Sequence, residues 1–330
     1  MKKHIIRLLA CFMVFAPVIS LLPGVAAQDK EMTDISLMLD WYPNANHVPI
    51  YVAMKEGYFE EEGINLTINM PAEVDDPIKM AGSGQTDIAI SYPSVIMQAV
   101  AEGVPAKAIG SLVQQRLDAV IYKKESGITS PKDLEGKKVG YSATTVSENI
   151  IEAMMEEDGG DYAKAEMVNV GWELIPALAT DKVDATIGAY MNHEFLMFEK
   201  EGYDVDYFDF VDYGVPDADE LIFVAGDDTI TNKEEALKGF MRAVKKGFDK
   251  AKEDPEAGIE TIFENEDNAY VLDKEIEKKS WEMLQDYMVS KGDFGSIKVE
   301  DYEAFAKFLA EKGSIAKELS AQDMIKDLSK

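Results

Sequence analysis

Apolar and polar positions switch between two periods along this chain. Ile35–Leu39 is a short apolar run of the kind that forms a buried strand, and the spacing from Ile50 to Glu62 is helical and stops at Gly63. Asn65–Ile68 reads as a second strand, and Pro77–Ala81 as the start of a helix that ends at Gly82-Ser83-Gly84. "TDIAISYPS" is a buried strand running into a loop, Val95–Glu102 a helix closed by Gly103, and "AKAIGSL" and "LDAVIYK" are strands. The alternation restarts at Gly127: Ser130 caps a helix with Pro131 at its first position, and Gly136 ends it. Strand Lys138–Tyr141, a helix near Val146–Glu157, strand "EMVNVGW", helix "ELIPALATDKV", strand "DATIGAY", helix "HEFLMFEKEGY" and strands "YFDFVDYG" and "LIFVAGD" follow. From Lys233 the pattern is helical almost throughout, with Leu237, Phe240, Met241, Val244 and Phe248 at helical spacing. Strands alternating with helices predict an α/β fold of two units, each a mainly parallel sheet covered by helices. The helical tail has no sheet of its own to cover, so it is expected to pack back on the first unit. The expected boundaries are residues 35–121 plus 224–330 for that unit and 122–223 for the second, joined by crossings near Ile121–Lys123 and Leu221–Val224.

The first 27 residues stand apart. Lys2, Lys3 and Arg7 precede an apolar stretch from Leu8 to Leu22, and Val25-Ala26-Ala27 offers small residues before Gln28. This is the layout of a secretory signal peptide cut after Ala27, which predicts export. Leu8-Leu9-Ala10-Cys11 is similar to the box before a lipidated cysteine, but Cys11 stands too early in the apolar segment for that reading. Cys11 is the chain's single cysteine, so a chain cut after Ala27 has no disulfide, thiol nucleophile or cysteine metal site. The net charge of −29 argues against nucleic acid or anionic lipid as partners.

Catalytic signatures are sparse. The three histidines are His4, His47 and His193, and no HExxH, GxSxG, Walker or Rossmann motif occurs. "GSGQTD" lacks the lysine of a phosphate loop and reads as a turn. Polar and aromatic residues gather instead at strand C-termini: Asp40, Trp41 and Asn44; Ser91 and Tyr92; Tyr141 and Ser142; Tyr190 and Glu194. Open α/β sheets bind ligands in the crevice outside these ends, and two facing sheets would bring the clusters into one cleft. Each aromatic alone is more often a core plug than a ligand platform; together they favour a binding site. Arg116 is the one basic candidate near that cleft, which argues for a neutral or cationic ligand over an anion.

"DWYPNANHVPIYVAMKEGYFEEEGI", "DIAISYPS", "SPKDLEGKKVGYS", "VNVGWELIPALATDKVDATIGAY" and "DYGVPDADELIFVA" resemble the solute-binding proteins of ABC importers for thiamine pyrimidine precursors. Proteins similar to hydroxymethylpyrimidine-phosphate synthases share that family. The resemblance runs over about residues 35–260. It implies a two-lobed type II periplasmic binding protein fold that closes on its ligand. Trp41, Asn44, Tyr92, Tyr190 and Glu194 match the pocket motif, with Tyr141 and Ser142 beside them. It further implies a monomer in the periplasm that delivers a pyrimidine to permease subunits, with no cofactor, metal or catalytic residue. In that reading Trp41 and Tyr190 sandwich the ring, Glu194 accepts from an exocyclic amine and Asn44 donates to a ring nitrogen. Family members often carry tryptophans around "YWxWE", where this chain has Tyr190-Met191-Asn192-His193-Glu194. The ring could thus be a formylated aminopyrimidine, hydroxymethylpyrimidine or another flat heterocycle such as a flavin. A synthase that builds the pyrimidine from its own histidine is the enzymatic alternative. The export signal and the missing cysteine cluster weigh against it, and a sulfonate or nitrate binder would need more cationic donors.

Overall fold

The computed structural model describes residues 32–72, 76–142, 145–171, 173–266 and 271–330. The expected signal peptide and Cys11, and Trp172 of the "EMVNVGW" strand, lie outside the described residues. Two five-stranded sheets form the frame. The first contains β1 (Thr33–Met38), β2 (Ile64–Asn69), β3 (Ile88–Ser91) and β4 (Ala106–Val113). The second contains β5 (Asp118–Lys123), β6 (Lys138–Tyr141), β7 (Glu166–Asn169), β8 (Ala185–Tyr190) and β9 (Val205–Phe208). The chain then returns to the first sheet as β10 (Leu221–Gly226), giving the orders β2-β1-β3-β10-β4 and β7-β6-β8-β5-β9. β10 is antiparallel to β3 and β4, and β5 is antiparallel to β8 and β9; the other pairs are parallel. In each sheet four of the five strands run the same way, as the alternation predicts, but the fifth (β10 or β5) is inserted antiparallel between two of them, so only two of the four pairings are parallel. β3 and β10 are buried along their whole length, which is why they read as unbroken apolar runs.

The changes of sheet differ from expectation. β5 pairs within the second sheet from Asp118 onward, and β10 pairs within the first from Leu221. The chain crosses over residues 114–117 and 209–220, so boundaries at 121/122 and 223/224 would cut both strands. A uniformly apolar strand carries no local mark of the sheet it joins; its pairing partners decide that.

The helices are α1 (Val48–Lys55), α2 (Tyr58–Glu62), α3 (Asp76–Gly82), α4 (Pro93–Ala101), α5 (Thr145–Glu157), α6 (Leu174–Ala179) and α7 (Glu194–Lys200). The tail adds α8 (Asp227–Glu253), α9 (Pro255–Glu264), α10 (Lys274–Tyr287), α11 (Val299–Glu311) and α12 (Ala321–Met324). The single helix expected over Ile50–Glu62 is two, because Gly57 takes φ +76° between them, a conformation costly for other residues. The helix expected after Ser130 is one 3-10 turn, Pro131–Leu134. As expected, the tail covers the first sheet. α8 packs on α1 and α2, burying Leu237, Phe240, Met241, Val244 and Phe248, with Phe240 stacked on Phe59 at 5.5 Å. After α12, Ile325 forms a parallel bridge with Ala108 of β4.

Gly247 sets how closely α8 approaches α1. A Cβ there would stand 2.0 Å from the Pro49 carbonyl oxygen and 2.9 Å from Ala53 Cβ. Backbone cannot yield as a side-chain tip can, so the helices would have to separate. Gly247→Ala is expected to cost about 3 kcal/mol despite alanine's better helix propensity. The shift of the denaturant midpoint measures it, and an unchanged midpoint would refute the close-packing account.

Candidate functional site

A cavity of about 470 Å³ opens between the C-terminal ends of the strands of both sheets. Trp41, Asn44 and Tyr92 line it from the first sheet, and Ser142, Tyr190 and Glu194 from the second. Tyr141, expected with them, is not in the wall. Consecutive strand residues point to opposite faces, so Ser142 takes the cavity position while Tyr141 packs on the core and bonds Glu148 of α5.

The loop after β1 shows how the sequence builds the site. Asn44 caps the 3-10 turn Ala45–His47 by accepting from Asn46 N at 2.9 Å, and its amide nitrogen donates to the Tyr42 carbonyl at 3.2 Å. Asn44 N donates to His47 Nδ1 at 3.2 Å, which leaves the ring proton on Nε2 facing Asp40 Oδ1 at 2.9 Å. His47 is fully buried and does not line the cavity. The Asn44 oxygen and one of its two amide hydrogens are thus taken by the loop itself; only the second hydrogen is left for a ring nitrogen. The other Asp40 oxygen accepts from Tyr92 Oη at 3.2 Å, and the Tyr92 hydroxyl also bonds that of Tyr190. One polar chain therefore runs His47–Asp40–Tyr92–Tyr190 from the first sheet to the second. Burial, together with Asp40 and Glu220, pushes both phenols well above their usual pKa, so they remain neutral hydrogen-bonding groups.

Sequence reasoning missed the acidic residues of the crossing segments. Asp118, Asp219 and Glu220 all line the cavity. Glu220 Oε2 accepts from Leu117 N at 2.7 Å and Asp118 N at 3.1 Å, tying the two crossings together. Burial, reinforced by Asp118, pushes the Glu220 carboxyl up to about 8; burial also raises Asp118. Asp219, buried beside Lys291 and Tyr302, is pushed up to about 7, because desolvation outweighs its partners. The adjacent carboxyls in "DADE", immediately before an apolar run, were the available signal. Arg116 does line the cavity, but its guanidinium donates to the Pro216 carbonyl at 3.3 Å, lies 3.7 Å from Asp118 and sits 4.6 Å over the Phe305 ring. It is already engaged, which fits a neutral or cationic ligand.

Glu194 begins α7 and accepts from Tyr190 N at 2.7 Å, with its other oxygen 3.3 Å from His193 Nδ1. Burial alone would raise its pKa, but His193 and these hydrogen bonds bring it below the usual carboxylate value. It faces the cavity as an anion. Glu277 and Ser280 of α10 complete this wall, and helical periodicity gave no hint of them. Among the described residues no cluster of histidine, cysteine or carboxylate side chains could hold a metal ion. Trp41, Tyr92 and Tyr190 supply aromatic surface and the carboxylates supply acceptors. Such a wall can hold a flat ring whose edge carries N–H donors.

The model of the family described as NMT1/THI5 like matches residues 44–258. The formylaminopyrimidine-binding protein of Halalkalibacterium halodurans is 34% identical over 308 residues, 93% of each chain. A 4-amino-5-hydroxymethyl-2-methylpyrimidine phosphate synthase of Legionella pneumophila is 30% identical over 72% of this chain and 75% of its own. The ligand-binding component of an ABC-type import system from Staphylococcus aureus superposes with a TM-score of 0.71 at 13% identity, over 90% of this chain and 98% of that one. At that identity the superposition establishes the fold: a two-lobed α/β periplasmic binding protein fold. With the family model spanning most of both sheets and a full-length relative at 34% identity, the chain belongs to the NMT1/THI5-like family.

Proposed function

We propose that this protein is the extracytoplasmic solute-binding component of an ABC importer, capturing a thiamine pyrimidine precursor and delivering it to the permease. The observation that carries the reading is the meeting of Trp41, Tyr92, Tyr190 and Glu194, from both sheets, in one cavity. An aminopyrimidine of formylamino or hydroxymethyl type has two flat faces and an exocyclic amine, which suit aromatic platforms and an ionised carboxylate. The name of the relative from H. halodurans supports the same ligand class. The protein works as a monomer of two lobes, each built on one sheet, that close on the ring after export by the signal peptide.

The synthase relative motivates an enzymatic alternative, with a histidine as the source of the ring. His47 is held between Asn44 and Asp40 outside the cavity wall, and His193, which does line it, is engaged by Glu194 and Glu277; the binding role rests on the relative at 34% identity and the aromatic wall. Titration calorimetry with formylaminopyrimidine and hydroxymethylpyrimidine tests the proposal. Saturable one-to-one binding, with a smaller radius of gyration in solution scattering, is the expected result. Silence toward both pyrimidines alongside saturation by riboflavin would replace the ligand class. Binding with an unchanged radius would remove the closure.

A further inference from the structure

The segment where the family's tryptophans give way to Met191-Asn192-His193 meets one stripe of α10. Asn192 Nδ2 donates to Ser280 Oγ at 2.7 Å and to Asn46 Oδ1 at 3.1 Å. His193 Nε2 lies 3.4 Å from Glu277 Oε1, and Lys200 Nζ lies 2.7 Å from Asp273. Glu277 and Ser280 stand three apart and share one face of α10, which Asp273 caps. Glu277 is completely buried, and its second oxygen accepts from Ala45 N at 2.8 Å. His193 thus stands between two carboxylates, Glu194 on Nδ1 and Glu277 on Nε2. A neutral imidazole carries one N–H; only the imidazolium presents a proton to both sides, hydrogen-bonded to Glu194 at Nδ1 and, at Nε2, within ion-pair distance of a buried Glu277 oxygen that has no hydrogen-bond partner.

We infer that Glu277 and His193 are positioning residues for Glu194, a relay across the seam between the lobes through which ligand capture depends on a proton held by His193. The inference rests on the reading of Glu194 as the carboxylate that meets the ligand. The relay fixes the Glu194 carboxylate from the side away from Tyr190 N. It also leaves one negative charge in excess, since two carboxylates share one imidazolium, and that excess faces a ring edge rich in N–H groups. When His193 loses its proton, two buried carboxylates are left with repulsion in place of a shared cation, and the seam loosens. The charged groups facing His193 are Glu194 from its own helix and Glu277 from α10; Lys200, Asp273 and Glu275 lie further along the seam. The turn Ala45–His47 presents the Ala45 amide and Asn46, with His47 engaged by Asp40. Burial opposes the charge on His193, but the two carboxylates outweigh it and hold its pKa well above the usual histidine value. The relay is therefore intact at neutral pH and is lost as pH rises through that value.

The test uses the chain from Gln28 onward, after the expected signal peptide, and two readouts. The ring C–H signal of His193, identified by its loss in H193N, is followed by NMR against pH in the parent and in Glu277→Gln, which keeps the acceptor for Ala45 N. The expected result is a midpoint lowered by about one pH unit or more in Glu277→Gln. In calorimetry with formylaminopyrimidine, Glu277→Gln should bind about tenfold more weakly than the parent at pH 8 and recover near pH 6. H193N should show no such recovery, which separates the relay from other groups that titrate in this range. Superimposable His193 titrations in the parent and Glu277→Gln overturn the relay, as do parallel affinity profiles. If the parent binds no aminopyrimidine at any pH, the functional reading falls, and the NMR midpoint alone then decides whether the relay exists.

Discussion

Trp41→Ala is expected to weaken binding of any flat heterocycle by about 2–4 kcal/mol, or roughly 30- to 1,000-fold. Trp41 lines the cavity at the end of β1, and its indole is large enough to cover one face of a six-membered ring. Alanine removes both the stacking and the area that excludes water, whatever the ring carries. Glu194→Gln acts differently. It preserves shape but replaces an anionic acceptor with a neutral amide that can no longer pair with His193. The expected cost is about 1–3 kcal/mol, and only for ligands with an amine to read. Titrations of both variants, with folding checked by circular dichroism, separate the two effects. If both bind as the parent does, the ligand sits elsewhere. If only Trp41→Ala fails, the ring is held here but its amine is read by another group, such as Asp118 or Glu220, and Glu194 loses its assigned role.

Thermal stability should be greatest in mildly acidic solution and fall as pH rises toward 8. Asp219 and Glu220 keep their protons in the folded protein up to about 7 and about 8, whereas the unfolded chain releases them near 4. Between those limits the native state binds more protons than the unfolded state, so stability declines with rising pH, then levels off above the folded values. For Asp219 alone the span of about three pH units corresponds to something on the order of 4 kcal/mol. His193 acts in the same direction, since its folded pKa is raised: its contribution is complete below the unfolded histidine value and is lost as pH climbs. Glu194 has the opposite sign, and its contribution is lost only as pH falls through its lowered value. The melting temperature is thus expected to drop by several degrees between pH 5.5 and pH 8.5. The large negative net charge would produce a slope in the same direction, so the decisive comparison is Glu220→Gln, which should flatten it. A melting temperature that climbs over this range, or a slope unchanged in Glu220→Gln, would show that these carboxyls ionise freely in the fold.

The alternation of apolar periods by itself determined that the chain forms two mainly parallel α/β units with a helical tail on the first. Each strand and helix writes its own period into a few consecutive residues, and the tail's apolar stripe, with no sheet of its own, had to pack back on one formed earlier in the chain. The strand-end positions of Trp41, Tyr92, Tyr190 and Glu194 were legible for the same reason: an open parallel sheet presents those ends to its ligand crevice. Tertiary structure decided the rest. Asn44 looks like a ligand group in "DWYPNANH", yet most of its hydrogen bonding closes on the turn it caps. Tyr141 and Ser142 are neighbours in sequence, and only the sheet's orientation gave the cavity to the serine. β5 and β10 joined their sheets through partners that no residue within them announces. Glu277 reaches the Ala45 amide across 232 positions of sequence, and Glu220 reaches Leu117 across 103. A buried carboxylate is set by what surrounds it in space, and a helical period records only that one face is covered, not which polar residue on it meets the site.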